Sequence, residues 1–219
     1  MAGPSQMFSA DEQAAVYRVI HERRDMRHFC GGQVEAAVLE RLLSAAHAAP
    51  SVGLMQPWRF IRITDKYLRE DLYHLVQRER DATAEALGER REDFLALKVE
   101  GIRECAECLV VTLMDKREPH IFGRRTLPHM DIASTACAIQ NLWLAARAEG
   151  LGMGWVSLFE PRALKALLGM PAGSEPLAIL CLGPVTRFYD KPMLEQEHWA
   201  RRQSVATIMM ENHWHDDSD

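Results

Sequence analysis

Gly150-Leu151-Gly152-Met153-Gly154-Trp155-Val156-Ser157 is the stretch on which the fold turns. A glycine-rich run of this kind invites comparison with a dinucleotide-binding fingerprint. That fingerprint requires its glycines to follow a strand and open a helix. Here the order is reversed. Residues 131–149, just upstream, carry Ile132, Thr135, Ala136, Ile139, Leu142, Trp143 and Ala146 on one wide apolar face. That pattern predicts a deeply buried helix, with Gly150 at its C-terminal cap. Gly154 to Phe159 then reads as a strand. A Rossmann-type nucleotide domain is therefore rejected.

Outward from this helix–glycine–strand unit, the remaining periodicities fall into place. Ala14, Ala15, Val16, Val19 and Ile20 predict an amphipathic helix over 11–22, with Asp11 in its acidic first turn. Val34, Val38, Leu42, Leu43 and Ala46 predict a second helix over about 34–48, ended by Pro50. Alternation from Trp58 to Thr64 predicts a half-buried strand, and Cys108 to Met114 a fully apolar one. Residues 66–103, rich in Glu, Arg, Leu and Ala, predict two helices broken near Gly88. Pro119, Gly123 and Pro128 mark 115–130 as an extended loop. A short helix over 161–168, a strand from Leu177 to Gly183 and a polar tail from Pro184 complete the chain. About four strands among more helices predict an α+β or mixed α/β fold. No Pro/Gly/Ser-rich stretch divides the 219 residues, so one domain over 1–219 is expected.

Bulk composition excludes several classes of function. Net charge is -5, so there is no basic excess to neutralise a nucleic-acid backbone. The longest apolar runs, such as Leu109 to Met114, are too short to span a bilayer, and no signal peptide is evident, so a cytoplasmic location is expected. Five cysteines are an odd number in a chain too large to need disulfide staples, which predicts free, mostly buried thiols. Cys105-Ala106-Glu107-Cys108 lacks the second pair of a structural zinc site. His213, His215, Asp216 and Asp217 lie at the C-terminal extreme, where any metal is expected to be adventitious. No metal site is expected.

Two segments carry candidate chemistry. Arg23-Arg24-Asp25-Met26-Arg27 sets three guanidiniums within five residues at the end of a helix. Arginine presents a planar donor fork that matches a phosphate, although on spacing alone a solvated charged face is the commoner outcome. Ala49-Pro50-Ser51-Val52-Gly53-Leu54-Met55-Gln56-Pro57-Trp58 follows the second helix. Gly53 permits close backbone approach, and Gln56 can both donate and accept, as the edge of a heterocycle needs.

In combination and in this order, these segments and the glycine turn resemble the flavin-dependent nitroreductase family, over nearly the whole chain. That family carries Arg-Arg-Ser-x-Arg near its N-terminus, a Pro-Ser-x-x-x-x-Gln-Pro-Trp loop one helix later, and a glycine-rich turn and strand after a long buried helix. Two departures are informative: Asp25 stands where Ser is usual, and Leu54 where Asn is frequent. With Leu97-Lys98-Val99-Glu100-Gly101-Ile102, Met130-Asp131, Gln140 to Gly150 and Gly154-Trp155-Val156-Ser157, they resemble the branch that consumes its flavin, the 5,6-dimethylbenzimidazole synthases. The Gly31-Gly32 turn departs from the proline-bearing turn expected there.

The resemblance implies an α+β fold with a central mixed sheet flanked by helices, and a homodimer with flavin sites at the subunit interface. It implies that Arg23, Arg24 and Arg27, with Arg202 from the tail, hold the FMN phosphate, with Met26 in the same motif. Ser51, Gly53 and Gln56 would reach the flavin from the other subunit, and Trp155, Val156 and Ser157 would line its reactive edge. It implies O2-dependent fragmentation of reduced FMN to 5,6-dimethylbenzimidazole, the lower ligand of vitamin B12, and erythrose 4-phosphate. A separate NAD(P)H-dependent flavin reductase would supply the reduced FMN. Asp25 would be the catalytic base and Ser157 a hydrogen-bond donor. Residues 88–102 would form a lid, with Arg90 capping the site and Val99 packing over it, and 190–219 a C-terminal extension. The alternatives are an NAD(P)H-dependent FMN nitroreductase or flavin reductase, and a non-catalytic FMN-binding protein.

Overall fold

A computed structural model describes residues 7–214. The chain builds α1 (Ala10–Glu22), α2 (Ala36–His47), β1 (Trp58–Arg62), α3 (Lys66–Ala86), α4 (Arg91–Ala96), β2 (Glu107–Leu113), α5 (Met130–Ala148), β3 (Gly152–Val156), α6 (Pro161–Leu167), β4 (Glu175–Gly183) and α7 (Met193–Gln196). Short 3-10 turns occur at Val52–Leu54, Gly88–Arg90 and Val205–Thr207. The strands form one sheet in the order β1-β2-β4-β3, and every neighbouring pair is antiparallel. The mixed sheet expected from sequence is thus antiparallel throughout its named strands.

The two central strands explain how one sheet supports two cores. Every residue of β2 is buried. Successive side chains point to opposite faces. Leu109, Val111, Leu180 and Leu182 meet α2 and α5 on one face, together with Leu142 and Trp143. Cys108, Val110, Ile179 and Cys181 meet α3 and α6 on the other, together with Leu72 and Leu164. Cys105, Cys108 and Cys181 are free, buried thiols, while Cys30 and Cys137 are free and exposed.

The element boundaries shift where tertiary contacts override local pattern. β3 begins at Gly152, two residues before the strand read from sequence, because its first residues pair with the end of β4. The second helix predicted within 66–103 ends early, at Ala96, and the chain becomes extended at Leu97. Three contacts hold that departure. Ile102 is fully buried, its N–H donates to the Glu100 carboxylate at 2.7 Å, and Gly101 packs so tightly that a Cβ there would lie 2.5 Å from the Phe29 ring. The tail beyond Pro184 is not featureless, since α7 lies within it.

α1 has a capping box at Ser9 and Glu12, but no residue of it is buried. Val16, Tyr17 and Ile20 remain exposed, so the apolar stripe that predicted the helix faces outward in a single chain. Among the described residues, no helix is long and apolar enough to cross a membrane, and no group of three or more His, Cys, Asp or Glu could hold a metal ion. His215, Asp216 and Asp217 lie outside the described residues.

The loop between β2 and α5 is anchored by Asp131, which is 2% exposed. Its Oδ2 accepts from Arg117 Nη1 and Arg124 Nη2, each at 2.9 Å, and Oδ1 accepts from Ile132 N–H at 2.8 Å. Removing the carboxylate takes from Arg124 its carboxylate partner and leaves Arg117 paired with Glu175, at 2.8 Å. Asp131→Ala is expected to cost about 3–5 kcal/mol in unfolding free energy by urea titration. A loss under about 1 kcal/mol would show that the anchor contributes little.

Candidate functional site

Residues 23–27 leave the end of α1 and lie along β3. Asp25 forms a parallel bridge to Met153, and Met26 N–H donates to Met153 O at 2.9 Å. This approach needs bare backbone on β3. A Cβ on Gly154 would stand 2.2 Å from Met26 O and 2.8 Å from Arg27 Nη1. The glycine run therefore serves a backbone-to-backbone contact. Met26 is fully buried, so its side chain works in the packing and does not line a cavity.

The bridge delivers Asp25 to the groove. Oδ1 accepts from Trp155 N–H at 3.1 Å, and Oδ2 accepts from Arg27 Nη2 at 2.7 Å. Arg27 Nη2 also donates to Trp155 O at 2.7 Å, closing a ring of contacts. The Asp25 side chain keeps 42% of its surface open, but protein crowds it on the remaining sides. That loss of solvation raises its pKa above the ordinary carboxylate value. Arg27, the Trp155 amide and Arg23 pull the other way without overcoming it.

Two cavities flank Asp25. One, of about 190 Å³, is bounded by Asp25, Arg27, Val99, Trp155, Ser157 and Trp199 among others. The second, of about 170 Å³, is bounded by Arg23, Arg24 and Arg202. They meet at Asp25, Met193 and Leu194. Larger hollows beside Tyr73 and beside Arg59 hold none of the unpartnered buried donors described next.

The arginines divide their work. Arg23 lies over the Trp143 ring, 4.4 Å from its centroid. Burial lowers its pKa, Arg24 and Arg202 add to that lowering, and Asp25 opposes it. Cations crowded in this way favour an anion between them. Arg24 is largely committed to backbone: it donates to the carbonyls of His21, Arg23 and Asp190 at 2.7, 2.9 and 2.9 Å. Only its buried Nε lacks a partner. Arg27, grouped with the phosphate arginines by sequence, lines the other cavity instead. Its Nε and Nη1 are buried without partners. Nη1 is packed against β3, 2.8 Å from where a Cβ on Gly154 would stand.

Val156 and Ser157 line the same cavity as Trp155, and the Ser157 residue is exposed to it. Val99 lines it too, whereas Arg90 does not and stacks on Trp199. The loop carrying Ser51, Gly53 and Gln56 is not brought to Asp25 within one chain. Ser51 Oγ accepts from Gln56 N–H at 3.1 Å, and Gly53 faces a separate hollow beside Phe122. Gly53, Leu54 and Gln56 all have positive φ, a strained backbone for the two that are not glycine. Sequence reasoning missed Phe94, Met193, Leu194 and Trp199. Only the aromatic residues scattered through a polar tail gave any signal.

The nitroreductase family's sequence profile matches residues 20–184. The chain is 38% identical to the 5,6-dimethylbenzimidazole synthase of Rhodobacter capsulatus over 194 residues, spanning 88% of this chain and 94% of that protein. It is 40% identical to the enzyme of that name from Rhodospirillum rubrum over 189 residues, spanning 85% of this chain and 89% of that protein. Its fold is similar to that of oxidised iodotyrosine deiodinase bound to FMN and 3-iodo-L-tyrosine. That TM-score is 0.72 at 22% identity, covering 91% of this chain and all of the other.

The close approach at Gly154 predicts that Gly154→Ala cannot be absorbed by side-chain motion alone, since the clash is with backbone. The variant is expected to lose about 1–3 kcal/mol of stability in denaturant titration. It should also change the Trp155 fluorescence as residues 25–27 lift from β3. Unchanged stability and emission would refute the bridge.

Proposed function

The chain belongs to the nitroreductase family, and on that premise we propose that it is a 5,6-dimethylbenzimidazole synthase. It takes reduced FMN and O2 and fragments the flavin to 5,6-dimethylbenzimidazole and erythrose 4-phosphate, consuming the flavin as substrate. The observation that carries the reading is Asp25: a carboxylate set among the arginines, open to the groove and next to the cavity that Ser157 lines. The names of two relatives at 38% and 40% identity support it.

FMN suits the residues present. Arg23 and Arg202 offer charge-assisted donors to a phosphate, and Arg24 lines the same cavity. Arg27 and Ser157 line the neighbouring cavity and offer donors to polar atoms of a ring system. When bound, reduced FMN supplies the electrons for O2 and the carbon skeleton of the product.

The chain's own residues do the rest. Asp25 acts as general base, accepting a proton from the ribityl C1′. Arg27 and the Trp155 amide hold the carboxylate in one orientation. Ser157 Oγ donates a hydrogen bond to the N5 edge of the ring. Phe94, Leu97 and Val99 exclude water from the cavity and deny a nicotinamide the face of the ring. Reduced FMN therefore comes from a separate NAD(P)H-dependent reductase. The active unit is a homodimer, in which Ser51, Gly53 and Gln56 of one copy complete the site of the other. The exposed apolar face of α1 and the separation of that loop from Asp25 within one chain support this assembly.

Arg23→Ala is expected to weaken FMN binding by about 1.5–3 kcal/mol, roughly tenfold to a hundredfold, and riboflavin binding far less. Equal weakening by fluorescence titration would remove Arg23 from the phosphate contact.

The decisive assay is product per reduced FMN consumed in air. Asp25→Asn and Ser157→Ala should still bind FMN and consume O2, while Asp25→Asn loses ~10²–10⁴-fold in product formation. The base must be ionised, and burial raises its pKa, so product formation should fall as pH drops through a value above the ordinary carboxylate range. In Asp25→Asn the residual activity should lose that acid limb. Wild-type yield from Asp25→Asn would eliminate it as the base. Steady NADH consumption by the wild type without product would favour a flavin-recycling nitroreductase, and FMN binding with no turnover a flavin-storage protein.

A further inference from the structure

Residues 88–99 and the start of the C-terminal extension hold each other across the mouth of the Asp25 cavity. Ala84, Phe94 and Leu97 form a small apolar cluster of their own, with Leu87, Leu95, Val99, Leu158 and Trp199 packed against it. Its three buried residues belong to neither core on the faces of the sheet, and Leu158 packs against both this cluster and the α3–α6 core. A unit with its own small core can open without disturbing the main ones.

One side of this unit is pinned. Gly88 turns the chain at φ +56, Arg80 of α3 donates to Leu95 O, and Lys98 pairs with Glu104 at 2.9 Å. The other side is held by contacts with one residue of a distant segment, Trp199. The Arg90 guanidinium lies 3.5 Å from the centroid of the Trp199 ring and donates to Trp199 O at 3.1 Å. The Trp199 ring also meets Phe94, centroids 6.1 Å apart. Phe94 and Trp199 both line the cavity, whereas Arg90 does not.

The aim of Trp199 is set by the backbone. After α7 the chain closes a Schellman motif: His198 N–H donates to Glu195 O at 3.3 Å and Trp199 N–H to Leu194 O at 2.8 Å. His198 takes the left-handed position at φ +57, where glycine is usual. The tail thus spends a strained residue on turning the indole back toward α4.

We propose that residues 193–199 are the second jaw of the lid over the cavity, and that Arg90 stacked on Trp199 is the latch that holds it closed. Arg90 is a positioning residue, acting through Trp199 rather than by touching the ligand. The inference deepens the flavin-site reading above and rests on it for what the lid encloses. A guanidinium over an indole shifts a closing equilibrium by roughly severalfold to tenfold, enough to set how long a bound molecule stays.

The test uses amide hydrogen exchange over residues 91–97 in the protein without flavin, and the dissociation rate of oxidised FMN followed by fluorescence. Arg90→Ala and Trp199→Ala should each speed both roughly fivefold to tenfold. The double variant should fall well short of the product of the two single effects, because both singles remove the same stacking contact. Trp199→Phe keeps a ring face and should retain most of the latch, and urea midpoints should stay near wild type. Exchange that is unchanged, effects that multiply in the double variant, or an equal loss of global stability would overturn the latch. The exchange arm needs neither flavin nor product. If the wild type makes no dimethylbenzimidazole while the variants open faster, the functional reading falls and the latch stands.

Discussion

The hydrogen bond from Met26 N–H to Met153 O, with the Asp25–Met153 bridge beside it, is the contact on which the site depends. It joins the end of α1 to the edge strand of the sheet, two segments far apart in sequence. Asp25 can then reach the Trp155 amide, and Arg27 the Trp155 carbonyl. Without that backbone contact the arginines would be an exposed, mobile cluster. With it, they are divided into one set around the anion cavity and one beneath the neighbouring cavity. The glycine at 154 is the steric condition for the contact.

The electrostatics follow from this placement. Asp25 lies between cations that favour its charge and a crowded groove that disfavours it, and crowding dominates. A raised pKa suits a base, whose protonated form must be attainable during turnover. Arg27 plays a double part, because one nitrogen orients Asp25 while two others remain unpartnered and buried.

Function and fold make different demands on the same stretches. The 88–99 segment gives up helical continuity at Leu97 so that Val99 can line the cavity and Ile102 can enter the core. The Ser51–Gln56 loop holds Leu54 and Gln56 at positive φ, a strained path fixed by the bonds from Gln56 N–H to Ser51 Oγ and from Val52 N–H to Ser134 Oγ. The outward apolar face of α1 fits the proposed homodimer.

The sequence by itself determined the element order, the deep burial of α5, the rejection of a Rossmann domain and, through the order of its motifs, the family. Those features rest on periodicity and on the reversed order of helix and glycines, both of which are local. It also singled out Asp25, because a carboxylate among arginines is visible without coordinates. Tertiary structure alone decided that the sheet is antiparallel, that Arg27 parts from Arg23, and that Met26 is core. It alone brought Phe94, Met193, Leu194 and Trp199 to the cavity and set Arg90 on an indole 109 residues away. The reason is physical: periodicity records which face of an element is apolar, whereas pairing between distant segments is chosen by the packing of the whole chain and leaves no repeating trace in either segment.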